Sequence, residues 1–519
     1  MLKRQKTRGA AIAALVTAGL VLSGCAADDT PASSDAQLDI QYFGSVVTLD
    51  PALSGQGPSA NIIALAYDPL IYMTPDGEYI PDLATDWGYT DDENTEFEFT
   101  LRDGVTFSSG AELDADAAVA SMEYFLDSGG GTASQVGDID SIEAVDEATV
   151  RITYTEPFPD AEWTLSQYIK FGSIIGPDGL ADPEALSTEM DGTGQYVYNA
   201  AESVANASYV FDRNPDYWNA DAQMYERVTV RAISDENAAL SAIQTGQVDY
   251  TLGAPSTLDA AEDAGLEVLQ VPFFNWAIHI ADRTGELTPA LEDPRVREAI
   301  AISIDRQAIV DAVSPDTAQP SSQLLNEGAV GFVPGLEFDY DPERAQQLLA
   351  DAGYPDGFSM SILSTNSLDQ NAIRAQAIVS YLEAIGIDVD LTADATGVSG
   401  FVEESQTGKY SATIFPMSGT TMGLLYPTLR SGPRNPSAVL DSEMESLFSS
   451  SRALAAEKSV PVYEQMSELA FANAWNIPIF TANDIHYIGP ELAGVKVTNL
   501  NPIPIAVAPD PQYAWHPSA

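Results

Sequence analysis

The chain has 519 residues, of which 77 are acidic and 22 are Lys or Arg, so its formal net charge is −55. A hydrophobic fraction of 45% is enough to build packed cores, which excludes a disordered acidic protein, and the length predicts about three domains. So negative a chain would repel phosphate backbones, and we expect no nucleic-acid binding. One cysteine and three histidines exclude an internal disulfide framework and cysteine-cluster zinc sites.

The N-terminal segment has the pattern of a targeting signal. Four basic residues precede an apolar run over residues 10–22, which as a helix would be about 20 Å long, too short for a hydrocarbon core of about 30 Å. Residues 1–24 are therefore predicted to be a signal peptide. The run ends in Leu22-Ser23-Gly24-Cys25, which resembles a bacterial lipobox and implies lipidation of Cys25, with residues 25–36 as a lipidated tether. A chance cysteine after an ordinary signal peptide is the alternative.

Signals in the first half of the chain predict hairpins and a capped helix. Alternation over residues 97–101, a turn at 102–104 and the apolar residues 105–107 predict a β-hairpin. Asp114 is suited to cap a helix that runs through Phe125. Two apolar runs joined by Asp146-Glu147 predict another hairpin over residues 142–154.

Helix-to-strand units follow in the second half. Residues 237–244 predict a helix, and Pro294 and Pro342 each begin another one. A further helix over residues 372–384 leads into an alternating strand over residues 387–391. Such units favour parallel pairing, so the chain is predicted to have an α/β fold.

Short motifs, most of them turns or helix caps, are spread along the chain after residue 48. They are Leu49-Asp50-Pro51, Tyr67-Asp68-Pro69-Leu70, Asp76-Gly77-Glu78-Tyr79-Ile80-Pro81-Asp82-Leu83-Ala84, Leu101-Arg102-Asp103-Gly104-Val105-Thr106-Phe107-Ser108-Ser109-Gly110, Gly192-Thr193-Gly194, Asn214-Pro215-Asp216-Tyr217-Trp218, Gly246-Gln247-Val248-Asp249, Arg295-Val296-Arg297-Glu298-Ala299, Ile304-Asp305-Arg306 and Leu348-Leu349-Ala350-Asp351-Ala352-Gly353-Tyr354. In this order and spacing they resemble the family 5 solute-binding proteins of ABC importers, the dipeptide-, oligopeptide- and nickel-binding group.

The resemblance implies a two-lobe, periplasmic-binding-protein-like (type II) fold with an extra subdomain inserted in the first lobe. The hinge would cross near Ala277-Ile278 and Glu491-Leu492. Solute contacts made only in the closed form would shift an open–closed equilibrium. The expected limits are 37–75, 191–278 and 491–519 for the first lobe, 76–190 for the insertion and 279–490 for the second lobe.

Three stretches are predicted to line the cleft between the lobes. The third of them matches the family's ligand-contacting segment after a strand. For two of the aromatic residues, Phe274 and Trp276, an ordinary role in a core is equally open. The candidate residues are Gln56 and Gly57, then Phe274, Asn275 and Trp276, and then Met417, Ser418, Gly419, Thr420 and Met422.

The third stretch differs from the peptide-binding pattern at one chemically important position. Peptide-binding members carry Trp-x-x-Asp or a similar motif, whose aspartate pairs with the α-ammonium, whereas Met417 and Thr420 stand at these positions here. A buried ammonium without a charged partner is costly, so a small neutral or aromatic solute is predicted. A dipeptide- or oligopeptide-binding protein that uses another acid is the alternative. His279 and His486 are isolated and expected to be structural, so neither a metal nor a cofactor is predicted.

The sequence favours binding and transport over catalysis. It contains no Gly-x-Ser-x-Gly elbow, and no catalytic residue is predicted, although the many carboxylates leave a glycosidase open. We therefore expect a monomeric, lipid-anchored protein on the outer face of the cytoplasmic membrane. It would capture a small solute and deliver it to an ABC permease and ATPase complex. A secreted hydrolase and a non-transport surface receptor are the alternatives.

Overall fold

The computed structural model describes residues 36–42, 46, 48–54, 59–366, 368–369, 372–501 and 503–518. The predicted signal peptide, the lipidation site Cys25 and the Gln56-Gly57 loop lie outside the described residues. The chain from Ala36 onward forms a single unit. In the part that the structure describes, no helix combines the length and apolarity needed to cross a bilayer.

Most strands belong to one large mixed sheet. The strands are β1 (Gln37–Tyr42), β2 (Ile71–Met73), β3 (Tyr79–Pro81), β4 (Ala84–Tyr89), β5 (Glu96–Leu101), β6 (Ile139–Ala144), β7 (Thr149–Tyr154), β8 (Tyr196–Tyr198), β9 (Ser208–Arg213), β10 (Arg227–Ala232), β11 (Tyr250–Leu252), β12 (Glu267–Ile280), β13 (Ala318–Pro320), β14 (Phe358–Thr365), β15 (Ile387–Asp394), β16 (Ala412–Met417), β17 (Asn476–Ile488), β18 (Leu492–Ala493) and β19 (His516–Pro517). The large sheet has the order β15-β14-β16-β12-β17-β11-β1-β10-β9-β8, with β13 paired to β17. Two hairpin-sized sheets, β2-β3 and β18-β19, and the four-stranded sheet β4-β5-β7-β6 stand apart from it.

Helices flank these sheets. They are α1 (Ser59–Ala66), α2 (Ala115–Asp127), α3 (Ala161–Thr164), α4 (Pro177–Ala181), α5 (Glu236–Gln244), α6 (Leu258–Asp263), α7 (Pro294–Ile302), α8 (Arg306–Val313), α9 (Pro342–Asp351), α10 (Ile373–Ala384), α11 (Val398–Ser405), α12 (Met422–Leu425), α13 (Ser442–Arg452) and α14 (Ala456–Asn473). The helices predicted at Pro294, at Pro342, over residues 237–244 and over residues 372–384 are confirmed. The strand predicted after α10 is confirmed as β15, which pairs in parallel with β14.

Two long strands, β12 and β17, connect the two ends of the large sheet. They pair with each other along most of their length. From Asn275 onward β12 also pairs with β16, and Ile278 lies in the core formed with α7 to α10. The last residue of β17, Ile488, lies in a different core, which surrounds β1. The register shifts between Pro272 and Phe274, so Phe273 is an extra residue at this point of β12.

A third core belongs to the four-stranded sheet and α2. The alternation along β5 buries Phe97, Phe99 and Leu101 against the helix, as a strand with one buried face requires. The predicted cap of α2 is confirmed, because the Asp114 carboxylate accepts the N–H of Ala117 at 2.8 Å. The hairpin predicted over residues 142–154 is confirmed as the antiparallel pair β6 and β7.

The hairpin predicted over residues 97–107 is wrong. β5 lies between β4 and β7 and pairs with both, so neither of its edges is available to residues 105–107. Those residues instead turn back on the segment after them, with the Phe107 N–H donating to the Ala111 carbonyl and the Leu113 N–H donating to Val105, both at 2.9 Å. The turn predicted at residues 102–104 is confirmed, but β5 pairs with the preceding strand β4 and with the distant strand β7.

Candidate functional site

A cavity of about 160 Å³ lies where the segment after β16, the bulge of β12, the C-terminal segment and the α3 region meet. Its walls are mostly aromatic and aliphatic, with amides and hydroxyls between them. Among the described lining residues none is Asp, Glu, Lys, Arg or His. We call this space the inner cavity, and its lining residues are Met73, Gln135, Trp163, Tyr168, Phe273, Asn326, Ser418, Gly419, Thr420, Leu424, Thr428, Asn499, Leu500 and Ile503.

The loop between β16 and α12 forms one wall. The Thr420 carbonyl accepts the N–H of Val330 at 2.9 Å, which fixes the loop backbone. A Cβ atom at Gly419 would lie 2.9 Å from the Cβ of Leu425, so this position has room only for glycine. The hydroxyls of Ser418 and Thr420 have no hydrogen-bond partner among the described residues and are free to meet a solute.

The bulge of β12 forms a second wall. Phe273 is the residue that the register shift inserts, and it lines the inner cavity. Asn326 holds the bulge by donating to the carbonyls of Pro272 at 3.3 Å and Phe273 at 3.5 Å. Its own carbonyl accepts the hydroxyl of Thr481 on β17 at 2.8 Å. Both long strands therefore contribute to the position of the Phe273 ring.

The third wall comes from two segments. One lies between β18 and β19 and contributes Asn499, Leu500 and Ile503, and the other contains α3 and contributes Trp163 and Tyr168. The Tyr168 hydroxyl donates to Asn501 and to the carbonyl of Ile503, the latter at 3.2 Å. Burial raises the pKa of Tyr168, so the phenol stays protonated and neutral. Asn499 donates to the carbonyl of Glu327 at 2.6 Å, which leaves its side-chain oxygen as an acceptor at the cavity.

Only part of the predicted cleft wall lines the inner cavity. Ser418, Gly419 and Thr420 line it. Phe274 is 37% exposed and packs on Phe273 with ring centroids 4.5 Å apart, one residue away from the wall.

The other described candidates lie behind the wall. Asn275 is buried and donates to the carbonyl of Gln323 at 2.7 Å. Trp276 is buried in the core of β12, β14 and β16. Met417 and Met422 are buried in a small neighbouring core. These four residues support the wall from inside, and their direct contact with solute stays a prediction.

No local sequence pattern marks several of the residues that line the inner cavity. Trp163, Tyr168, Asn326, Leu500 and Ile503 come from segments that are far apart in the chain. In the sequence, each of them looks like a residue of an ordinary core or loop, because its neighbours show no sign of a binding site. The expected return of the C-terminal segment to the first lobe is the one signal that points to Asn499, Leu500 and Ile503.

Both buried histidines serve the structure. His279 donates to the carbonyl of Phe415 at 3.0 Å and accepts from the amide of Asn476 at 2.7 Å. His486 is hydrogen-bonded to the hydroxyl of Tyr250 at 2.7 Å. Burial lowers the pKa of His279 to about 3 and that of His486 to about 4, so both are neutral at pH 7. Across the described ranges, no group of three or more His, Cys, Asp or Glu is arranged to hold a metal ion.

The fold and the cavity define a class of protein. A mixed sheet crossed by two long strands, with a cavity between separate cores, is the two-lobe arrangement of periplasmic binding proteins. Solved structures confirm the predicted fold class. HbpA2 of Haemophilus parasuis superposes with a TM-score of 0.77 at 21% identity, covering 90% of this chain and 98% of that one. A DppA of Helicobacter pylori in complex with the peptide STSA gives 0.75 at 21% identity, covering 93% and 98%.

The family follows from the sequence profile of the bacterial extracellular solute-binding proteins, family 5 (middle), which matches residues 78–433. The chain belongs to this family, the solute-binding proteins of ABC importers, as predicted. It is 27% identical to heme-binding protein A of Haemophilus influenzae over 538 residues, covering 92% of this chain and 95% of that protein. It is also 27% identical to a glutathione-binding protein of Salmonella paratyphi A over 379 residues, covering 71% of each.

Proposed function

We propose that this protein is a lipid-anchored solute-binding protein that captures a small neutral or aromatic solute in the inner cavity and delivers it to an ABC permease. The observation that carries the proposal is the lining of that cavity. It combines aromatic and aliphatic walls with a few amides and hydroxyls, and none of its described residues is charged. Such a lining replaces the water around a neutral solute without leaving a charge unpaired.

The volume of the inner cavity and the unpaired polar groups of its lining limit which solutes can bind. An engineered cavity of about 150 Å³ binds benzene, so about 160 Å³ suits a solute built on one ring system, single or fused. Within the described residues, the hydroxyls of Ser418 and Thr420 and the indole N–H of Trp163 have no protein partner, whereas Asn499 offers a free acceptor. A single-ring solute with a carbonyl or hydroxyl group would therefore find donors on two sides.

An unmodified peptide suits this cavity less well. Its α-ammonium would need a carboxylate, and the inner cavity has none among its described lining residues. The relatives of known specificity include a glutathione-binding protein and a heme-binding protein, so the family itself does not decide the question. A peptide ligand would require an acid outside the inner cavity.

We assign the hinge to the bulge of β12 and the facing part of β17. Pro272 and Phe274 pair with Asn483 and Ala482, and the core changes from one lobe to the other across this point. This lies a few residues before the Ala277-Ile278 crossing expected from the sequence. The limits of the lobes and of the insertion stay predictions.

The anchor and the partners complete the proposal. Lipidation of Cys25 would hold the protein at the outer face of the cytoplasmic membrane, close to the permease and its ATPase. The protein is expected to act there as a monomer. We expect binding without turnover, because no His, Lys or carboxylate among the described lining residues is available as a base for the hydroxyls of Ser418 and Thr420. A saturable complex without product would agree with this role.

Calorimetry on the mature chain carrying Cys25→Ser tests the proposed solute class. Indole and benzamide should bind, and alanyl-alanine should not. Ser418→Ala should weaken the binding of benzamide about 3- to 10-fold, because one hydrogen bond is lost. Ser380→Ala is the matched control, since this exposed hydroxyl of α10 bonds only its own helix, to Ala377. Tight binding of unmodified di- or tripeptides, or conversion of any bound solute, would refute the proposal.

A further inference from the structure

A second and larger space adjoins the inner cavity. It has a volume of about 790 Å³ and, unlike the inner cavity, it includes charged side chains such as Asp160, Glu445 and Arg452. We call it the outer chamber. The two spaces share four lining residues, which are Gln135, Trp163, Leu424 and Thr428. These residues therefore stand at the passage between an apolar space and a charged one.

Trp163 and Leu424 are the two large apolar side chains of this passage, and they approach it from different parts of the fold. Trp163 belongs to α3 and packs against the core of the four-stranded sheet. Its carbonyl accepts the hydroxyl of Ser166 at 2.7 Å, which fixes the end of α3. Leu424 belongs to α12, where its N–H donates to the Thr421 hydroxyl at 3.0 Å. Both side chains are therefore carried by anchored backbone.

We propose that Trp163, opposed by Leu424, sets the upper size limit of the solute by separating the inner cavity from the outer chamber. The inference rests on the proposed function and names a specificity-determining residue for it. A solute with one ring system, single or fused, fits on the inner side of Trp163, whereas a solute with two separate ring systems has to occupy the space of the Trp163 side chain. A small side chain at position 163 joins the two spaces and admits the larger solute.

The location of the passage explains why one residue has this effect. The inner cavity is also bounded by Leu500, but Leu500 does not line the outer chamber. Shortening Leu500 enlarges the inner cavity by a few methyl groups and opens no connection. Trp163→Ala and Leu500→Ala therefore form a matched pair, in which both change the size of the cavity and only one joins the two spaces.

The experiment measures the binding of two neutral probes to the mature Cys25→Ser chain by fluorescence or calorimetry. Indole has one fused ring system, and N-phenyl-1-naphthylamine has two ring systems. The wild type should bind indole, and neither the wild type nor Leu500→Ala should show saturable binding of the larger probe. Trp163→Ala should bind the larger probe at least 10-fold more tightly than the wild type, and it should bind indole about 10-fold more weakly because a ring contact is lost. Leu424→Ala should shift the preference in the same direction.

The outcomes separate the two proposals. If the wild type binds N-phenyl-1-naphthylamine as tightly as Trp163→Ala does, or if a folded Trp163→Ala still excludes it, Trp163 does not set the size limit. If the wild type fails to bind indole or benzamide while Trp163→Ala gains the larger probe, the proposed solute class is wrong. The proposal that Trp163 separates the inner cavity from the outer chamber is then still supported. Thermal unfolding checks each variant, and Trp163→Leu, which keeps an apolar side chain in the core, replaces Trp163→Ala if the latter does not fold.

Discussion

Breaking the contact between Arg452 and Asp160 should shift the protein towards its open form. The Arg452 guanidinium donates to the Asp160 carboxylate, and the two side chains are only 12% and 17% exposed. Asn94 adds a second link at the same place, because its amide donates to the Arg452 carbonyl at 2.9 Å. Arg452 lies at the end of α13 in the expected second lobe, whereas Asp160 and Asn94 lie in the expected inserted subdomain. These bonds would exist only when the lobes are closed.

The size of the effect follows from the burial of the pair. Exposed ion pairs contribute about 0–1 kcal/mol, and removing one partner of a fully buried pair costs about 3–5 kcal/mol. For side chains that keep 12% and 17% exposure we expect an intermediate loss of about 1–2 kcal/mol on Arg452→Ala. This corresponds to about a 10-fold change in the ratio of closed to open protein, and to a similar loss of apparent solute affinity when the open form dominates.

A distance measurement across the cleft can test this without knowledge of the solute. The chain has a single cysteine, so Cys25→Ser allows labels to be attached at cysteines introduced for the exposed residues Glu143 and Glu383. Arg452→Ala should lengthen the mean label distance in the absence of solute. Arg227→Ala is the control, because Arg227 pairs with Asp212 inside the expected first lobe. Identical distance distributions for Arg452→Ala and the parent would refute the reasoning.

Three further predictions concern stability, packing and anchoring. Burial raises the pKa of Asp68 to about 7 and also raises that of Asp82, so the folded protein holds protons at pH 5 that the unfolded chain does not. The stability that these two carboxyl groups contribute should therefore fall as the pH rises from 5 to 8, whereas the two buried histidines contribute with the opposite sign below pH 6.5. Asp82→Asn should accordingly lose less unfolding temperature than the parent between pH 5 and 8, and parallel pH profiles for the two proteins would contradict this. Gly419→Val should destabilise the protein by about 1–3 kcal/mol in urea unfolding, because its Cβ would lie 2.9 Å from that of Leu425, and an unchanged midpoint would show that the loop can move. Cys25→Ser should move the protein from the membrane fraction to the soluble fraction, and its retention on the membrane would refute lipid anchoring through this residue.

Local structure was readable from the sequence where the responsible interactions are local. The cap of α2 depends on Asp114 and a backbone N–H three residues later, and the β6–β7 hairpin depends on alternation around a short turn. The family motifs are of the same kind, because turns and caps need particular residues at particular spacings. These features predicted the α/β class and the family, and both are confirmed.

The walls of the inner cavity depend on contacts that no local pattern encodes. The hairpin predicted for β5 is wrong because its two edges are taken by β4, which precedes it in the chain, and by β7, which lies almost fifty residues later. Phe273 faces the cavity because a bulge changes the alternation of β12, and Trp163 reaches it because the whole of the four-stranded sheet and its helix brings α3 there. Residue type and spacing thus determined the elements and the class of this protein. The packing of separate cores against one another decided which side chains meet in the space between them, because that space belongs to no single segment.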